Sequence, residues 1–440
     1  MGGERIGARE HAVDDLGTGD VMTAARSTCR SCASADLRAF LSLGDMPLTD
    51  AYVAPGDANV PERRYPLEVV FCPRCTLVQI PYTVPPEEIF EDYSYYSSFS
   101  DTLLSHSAEH ARQLIAEREL GPHSLVVEVA SNDGYLLRNF VGQRIPVLGI
   151  DPARGPAEAA EDAGIPTLRR FFGPELAAAL RADGKCADVL IANNVLAHVP
   201  DLNGFVEGIA TVLADDGIAE IEVPYLRDLI DNLEFDTVYH EHLCYFSLSA
   251  LNVLFRRHGL SLNRVRRLPV HGGSLRATVG RMVDHDGSVE RLLEEEQRLG
   301  MATFEYYDDF AERVRNVQRA LEETLRALRA AGKRIAAYGA AAKGTILLNS
   351  SGIGADLIDF VADRNPHKQG RSMPGIGVPI VAPERIRDEQ PDYVLLLSWN
   401  FKDEVLQQQR AYLEAGGTFI VPIPAPTFVG GSSNEPPGNG

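Results

Sequence analysis

At 440 residues the chain is long enough for two or three domains, each able to bury its own core. Hydrophobic residues make up 45% and charged residues 24%, as in an ordinary soluble globular protein, and a formal net charge of -20 excludes non-specific nucleic-acid binding, which needs a basic face. No apolar run approaches the roughly 20 residues of a membrane span, and MGGERIGAREHAVDDLGTGD lacks the apolar centre of a signal peptide, so a cytoplasmic protein without membrane contact is expected.

Tails are expected at 1–26, where charge, Gly and Ala show no hydrophobic period, and at 426–440, which ends in GGSSNEPPGNG. The first folded unit opens with CRSC and returns about 40 residues later with CPRC. Four of the six cysteines thus fall into pairs, Cys29/Cys32 and Cys72/Cys75. In a reducing compartment such spacing brings four thiolates to one tetrahedral zinc, with YPLEVVFC as a strand entering the second knuckle. A closed four-thiolate site folds a module too small to have much core of its own. EDYSYYSSFS follows, with Tyr93 and Tyr96 as phenols within reach of a ligand or of simple packing, then a helix over about 101–118 capped by serine.

An α/β unit comes next. Strands are predicted at Ser124–Ala130, Val147–Ile150, Ala187–Ala192 and Ile218–Val223, alternating with helices as in a doubly wound, mostly parallel sheet whose ligands sit at the carboxyl ends of its strands. The first strand carries Glu128 and runs into Ala130-Ser131-Asn132-Asp133-Gly134; the second ends at Asp151, an acid placed for ribose hydroxyls; the third ends at Asn193-Asn194. GxGxxG is missing, and Asp133 would repel a pyrophosphate, so this set favours S-adenosylmethionine over NAD.

Tyr239-His240-Glu241-His242-Leu243-Cys244-Tyr245 concentrates titratable side chains. It reads as a general acid/base site, as a metal site if an extended backbone puts His240, His242 and Cys244 on one face, or as hydrogen-bonded core and surface histidines. HGGSLR offers Gly272 and Gly273 with Arg276 beside them, either a phosphate or carboxylate cradle or a glycine turn between strands. Leu, Phe and Val at helical spacing from about 288 to 331 mark helices bridging domains. A last unit restarts at Arg334–Tyr338 and runs into GAAAKGT, whose Lys-Gly order excludes a Walker P-loop but leaves Lys343 to meet a diphosphate. Strands at Ile358–Ala362 and Tyr393–Leu397 complete a second nucleotide-type fold.

The words EVASNDG (128–134), GIDP (149–152), NNVLAHVPDL (193–202), EVPYL (222–226), FDTVYHEHLCYFS (235–247), HGGSLR (271–276), YGAAAKG (338–344) and WNFKDE (399–404) together resemble the sugar C-methyltransferases of antibiotic deoxysugar biosynthesis. The resemblance covers about residues 27 to 425. It implies a zinc module at 27–88, a class I, Rossmann-like S-adenosylmethionine-dependent methyltransferase domain at 89–287 and a nucleotide-sugar-associated Rossmann-like domain at 288–425. The implied substrate is a nucleotide-linked (dTDP) 4-keto-6-deoxysugar, methylated at C3 after a general base forms its enolate. Acid/base roles fall on Tyr239, Glu241 and His242. His242 is the favoured base and Tyr239 its competitor, with Glu241 orienting the imidazole or holding a hydroxyl. His198 and Tyr93 or Tyr96 would support the enolate oxygen. The methyl donor would meet Glu128, Ala130, Asn132, Asp133, Gly134, Asp151, Asn193 and Asn194, and the substrate His271, Gly272, Gly273, Arg276 and Lys343; His240 is read as structural. A monomer is expected. Methylation of a non-sugar ketone, a zinc-containing NAD-linked sugar-modifying oxidoreductase and a non-enzymatic scaffold are the competing readings.

Overall fold

The computed structural model describes residues 26–56, 61–85, 96–270 and 272–431. The expected N-terminal tail up to residue 25, Tyr93, His271 and the segment from 432 onward lie outside these. The expected tail from 426 is corrected at its start. Thr427–Gly430 forms a strand antiparallel to Thr418–Val421, because Thr-Phe-Val suits the pleat and the sheet edge offers unpaired backbone groups.

The two CxxC knuckles share one turn geometry. Ala33 N–H donates to Cys29 O and Thr76 N–H to Cys72 O, and each turn closes on a residue of positive φ, Ala33 at 57° and Thr76 at 61°. The intervening strands Arg38–Pro47 and Arg64–Phe71 pair antiparallel, followed by Val78–Gln79. The fourth strand of that sheet, Cys244–Tyr245, comes from the middle of the chain. The module's core is also shared: Phe40 and Phe71 stack at 5.1 and 5.0 Å on Tyr307, beside the helix Phe310–Ala330. That helix buries Phe310, Val314, Val317, Leu321, Leu325 and Leu328 at steps of three and four, one apolar face.

The central sheet has seven strands. From one edge they run Thr167–Leu168, Val147–Ile150, Val126–Val129, Ala187–Asn193, Leu213–Pro224, Ser274–Gly280 and Ser261–Leu268. The first five are parallel, and Ser274–Gly280 enters antiparallel between its neighbours. This is the class I methyltransferase arrangement. The order reverses between Val126–Val129 and Ala187–Asn193, the switch point at which ligands bind. A third sheet of six strands follows, with Ile380–Val381, Val361–Ala362, Ile335–Tyr338, Tyr393–Leu396 and Thr418–Val421 parallel and Thr427–Gly430 closing the edge. Among the described residues no helix is long and apolar enough to cross a membrane.

Segment 234–245 joins the three sheets. Its 3-10 turn Phe235–Thr237 lies against the helix Ala342–Ser350 of the last domain, and its strand completes the first sheet.

Candidate active site

One cavity of about 670 Å³ runs from the carboxyl ends of the central strands, past Tyr239 and His242, to the start of the helix Ala342–Ser350. It is of the size that encloses a small-molecule ligand.

At the central-sheet end, Ala130 and Asn132 take positive φ, 57° and 49°, folding the first turn back over the sheet. Asp151 holds that turn: Oδ2 accepts Asn132 N–H and Oδ1 accepts Ala153 N–H, each at 2.8 Å. Burial pushes its carboxyl above the ordinary range, opposed by those two N–H groups. A carboxylate has about four acceptor positions, so Asp151 can still take two ribose hydroxyls. Asn193 and Asn194 also line the cavity, and their Oδ1 atoms are buried with no donor among the described residues. Neutral acceptors of that kind suit an ammonium group, while Ile150, Tyr135 and Phe172 supply apolar walls. These residues fit S-adenosylmethionine.

Three of the expected contacts are elsewhere. Glu128 is fully buried outside the cavity wall, held well above the usual carboxylate range by burial and then by Asp151 and Asp133. Asp133 accepts Ser98 N–H (3.3 Å), as Asn132 Oδ1 accepts Ser97 N–H (2.9 Å), so the turn clasps the segment before helix Asp101–Glu117. Gly134, at φ 74°, is required by packing, since a Cβ there would collide with Ile165.

In the middle of the cavity His242 Nδ1 lies 2.9 Å from Thr237 O. A carbonyl only accepts, so Nδ1 carries the proton and Nε2 accepts the hydroxyl of Tyr239, also at 2.9 Å. The orienting group is therefore the Thr237 carbonyl and not Glu241, whose Oε1 accepts Thr49 Oγ1–H at 2.9 Å. Burial, then Asp50, pushes Glu241 up to about 8. His198 packs edge-on to His242, ring centres 4.8 Å apart, and burial holds it down at about 4, neutral at cellular pH. His240 contacts Pro66 O and packs on Tyr65, away from the cavity. The extended metal arrangement fails, because the chain turns at His240 and Glu241, strand begins only at Cys244, and His240 faces Pro66 while His242 lines the cavity.

The far end is charged. Lys343 Nζ donates to Asn400 Oδ1 (2.9 Å) and sits 4.5 Å from the Trp399 ring centre. Burial lowers its pKa against the opposing pull of Asp236 and Glu234. Lys368, Asp50 and Glu234 line the same end.

The HGGSLR cradle does not form among its described residues. Arg276 binds Glu222 through Nε (3.1 Å) and Nη2 (2.7 Å), away from the cavity, and that pairing with His106 holds Glu222 down at about 2 against its burial. Cβ atoms at Gly272 and Gly273 would collide with the carboxyl groups of Glu234 and Asp228, which fill the space beside the two glycines. Tyr96 is also outside the cavity, its hydroxyl against Gly155 and its ring on His367 at 6.0 Å. Sequence reasoning gave no role to Asp50, Lys368, Asp236 or Trp399. Trp399 lies in WNFKDE and Asp236 in FDTVYHEHLCYFS, but Asp50 meets Glu241 only through the fold.

The four cysteine sulfurs lie within 4.8 Å of one another, with Cys29–Cys75 and Cys32–Cys72 at 3.5 Å. Tetrahedral Zn–S bonds need sulfurs about 3.8 Å apart, so the set fits zinc.

Three family models match in succession: a putative zinc binding domain over 29–90, a methyltransferase domain over 103–265 and a C-methyltransferase C-terminal domain over 269–424. C-methyltransferase NovU of Streptomyces niveus is 36% identical over 408 residues, 92% of this chain and 97% of that protein. Two solved structures are more distant. The 1,6-didemethyltoxoflavin-N1-methyltransferase of Burkholderia thailandensis is 20% identical over 50% of this chain and 96% of its own, TM-score 0.35. Magnesium protoporphyrin IX methyltransferase of Synechocystis PCC 6803 is 15% identical over 44% and 89%, TM-score 0.33. Likeness at that level adds nothing about the site.

Proposed function

The chain belongs to the C-methyltransferase family that includes NovU, with a zinc module and a methyltransferase domain that takes S-adenosylmethionine, and we propose that it methylates C3 of a nucleotide-linked 4-keto-6-deoxysugar in deoxysugar biosynthesis. One observation carries this reading. The Tyr239–His242 pair, its imidazole fixed by the Thr237 carbonyl, stands midway along a cavity with the methyl-donor turn at one end and Lys343 and Lys368 at the other.

Bound adenosylmethionine supplies an electrophilic methyl group. An unactivated C–H cannot attack it, so the protein must first remove a proton from a carbon next to a ketone. Tyr239 already donates its hydroxyl proton to His242 Nε2. The phenol oxygen takes the carbon proton as its own passes to the imidazole, or His242 takes the carbon proton directly; in both routes His242 ends as the imidazolium, and in the first the carbon proton stays on Tyr239. Neutral His198, edge-on to that ring, suits a hydrogen bond to the developing enolate oxygen. Lys343 and Lys368 suit the diphosphate, and Asp50 and Glu241 the sugar hydroxyls.

Incubation with adenosylmethionine and a panel of nucleotide-linked 4-keto sugars should give a mass gain of one methyl on one of them. His242→Asn should keep adenosylmethionine binding and lose both methyl transfer and C3 deuterium exchange. Exchange that persists in His242→Asn but vanishes in Tyr239→Phe moves the base to the phenol. Methylation of a non-sugar ketone with every sugar refused would sink the sugar assignment.

A further inference from the structure

The Thr237 carbonyl decides which nitrogen of His242 carries the proton, yet it belongs to a three-residue 3-10 turn, a weak element that does not hold its own orientation. Thr237 N–H and Oγ1–H both turn back to Glu234 O, at 3.0 and 2.6 Å, and Glu234 N–H donates to Leu229 O at 2.9 Å, so these bonds tie the turn to the preceding helix and not to the C-terminal domain. Phe235 and Val238 bury the turn's apolar side chains against the core, and the side-chain hydrogen bond that ties it to the C-terminal domain is made by Asp236. Its side chain is fully buried, and Oδ2 accepts the indole N–H of Trp399 at 2.7 Å. Trp399 belongs to the C-terminal domain, at the carboxyl end of the strand Tyr393–Leu396, and its other face is covered by the Lys343 ammonium. Lys343 is in turn held by Asn400, the residue after Trp399. Nothing else in the C-terminal domain makes a hydrogen bond to this turn among those found in the described residues.

We propose that Asp236 and Trp399 are positioning residues: through the indole–carboxylate bond the C-terminal domain sets the direction of the Thr237 carbonyl and so holds His242 in the tautomer whose Nε2 receives a proton. The C-terminal domain then completes the acid/base pair as well as walling the cavity. A domain that only bound substrate would need Lys343 at the wall and no bond to Asp236. The inference rests on the reading that Tyr239 and His242 move the proton, and it concerns the free enzyme, so it is testable without a substrate.

Imidazole ¹⁵N spectra of full-length protein labelled at histidine, with the His242 signals assigned by their loss in His242→Asn, report the tautomer directly. The wild type should show a neutral Nδ1–H ring at His242. Trp399→Phe and Asp236→Ala should move it to a tautomer average with zinc content and adenosylmethionine affinity unchanged, and Asp236→Asn, which keeps an acceptor for the indole, should restore the wild-type pattern. On a sugar that is turned over, kcat should fall roughly tenfold to a hundredfold in the first two variants with KM within twofold. Unchanged His242 signals in Trp399→Phe, a loss confined to KM, or an Asp236→Asn as damaged as Asp236→Ala would each overturn the proposal. If Asp236→Ala fails to bind adenosylmethionine because it misfolds, Trp399→Phe decides. If no sugar is methylated, the substrate reading fails while the spectra still judge the positioning.

Discussion

The first turns of the central and C-terminal sheets are built alike. Asp151 accepts Asn132 N–H and Ala153 N–H; Asp363, at the end of the corresponding second strand, accepts Ala340 N–H (2.6 Å) and Asn365 N–H (2.8 Å). From there they diverge. The central turn opens on the cavity with Asn193 and Asn194 opposite. The C-terminal turn reaches the cavity only at Ala341–Lys343 and is covered at Ala340: Lys368 Nζ donates to Ala340 O at 2.8 Å, Tyr52 Oη of the zinc module lies 2.6 Å from the same carbonyl, and a Cβ on Gly339 would come within 2.5 Å of Ser398 Oγ. An acid closing the second strand is thus a device for fastening the first turn. Whether the turn takes a ligand depends on what lies over it, and a pyrophosphate at Ala340 would have to displace the zinc module's tyrosine.

The strongest way to break the comparison is to remove that cover. Structural zinc contributes on the order of 10 kcal/mol to a small module. Cys72→Ser should therefore release the metal, unfold the segment bearing Tyr52 and abolish methyl transfer, while adenosylmethionine affinity, measured by calorimetry, stays within a few-fold. Retained zinc in Cys72→Ser would sink the four-thiolate site. The next effect is a paired one. Asp151→Ala and Asp363→Ala each strand two N–H groups and should each cost about 2–3 kcal/mol of stability. Only Asp151→Ala should weaken adenosylmethionine, by roughly 30-fold or more; equal binding losses would mean that both turns hold ligand.

The turns themselves were readable in the sequence, because small residues between an apolar strand and a helix leave few alternatives. Asp151 and Lys343 could be placed at the ends of particular elements for the same reason. Arg276 could not: its spacing in HGGSLR says nothing of Glu222, 54 residues earlier, which neutralises it across adjacent antiparallel strands. The orienting carbonyl of Thr237 was equally hidden, since a main-chain oxygen has no signature in residue type. Lys368 and Asp50 approach Glu241 only because three sheets meet at segment 234–245, a fact of tertiary packing and not of pattern.

Glu241 sits beneath that meeting point and gives a pH test of the cover. Burial and Asp50 hold it up at about 8, against Thr49 and Lys368. A raised folded pKa means that the native state binds the proton more tightly than the unfolded chain, whose glutamate titrates near 4.3. Its stability is present below that value and declines as pH rises toward 8. Glu241→Gln should remove the decline, so denaturant unfolding at pH 8 should find the variant more stable by several kcal/mol, about 4–5 by linkage, with near equality at pH 4. A difference independent of pH would show that the carboxyl is not desolvated at this junction.

The smallest effect expected is the most direct measure of how firmly the second turn is covered. Tyr52→Phe deletes one hydroxyl, whose single proton is shared between Ala340 O and Asp50 Oδ1, and keeps the ring 4.9 Å from Lys368 Nζ. Lys368 still bonds the Ala340 carbonyl, so no buried acceptor is left bare and the loss should be about 1 kcal/mol, with adenosylmethionine affinity untouched. Lys368→Met on its own leaves the carbonyl to Tyr52, and should cost a similar amount. The double variant strips the carbonyl of both donors and should lose more than the sum of the two, because only then is a buried acceptor unsatisfied. Strict additivity would mean that water already reaches Ala340 O, in which case the C-terminal turn is as open to a ligand as the turn at Asp151.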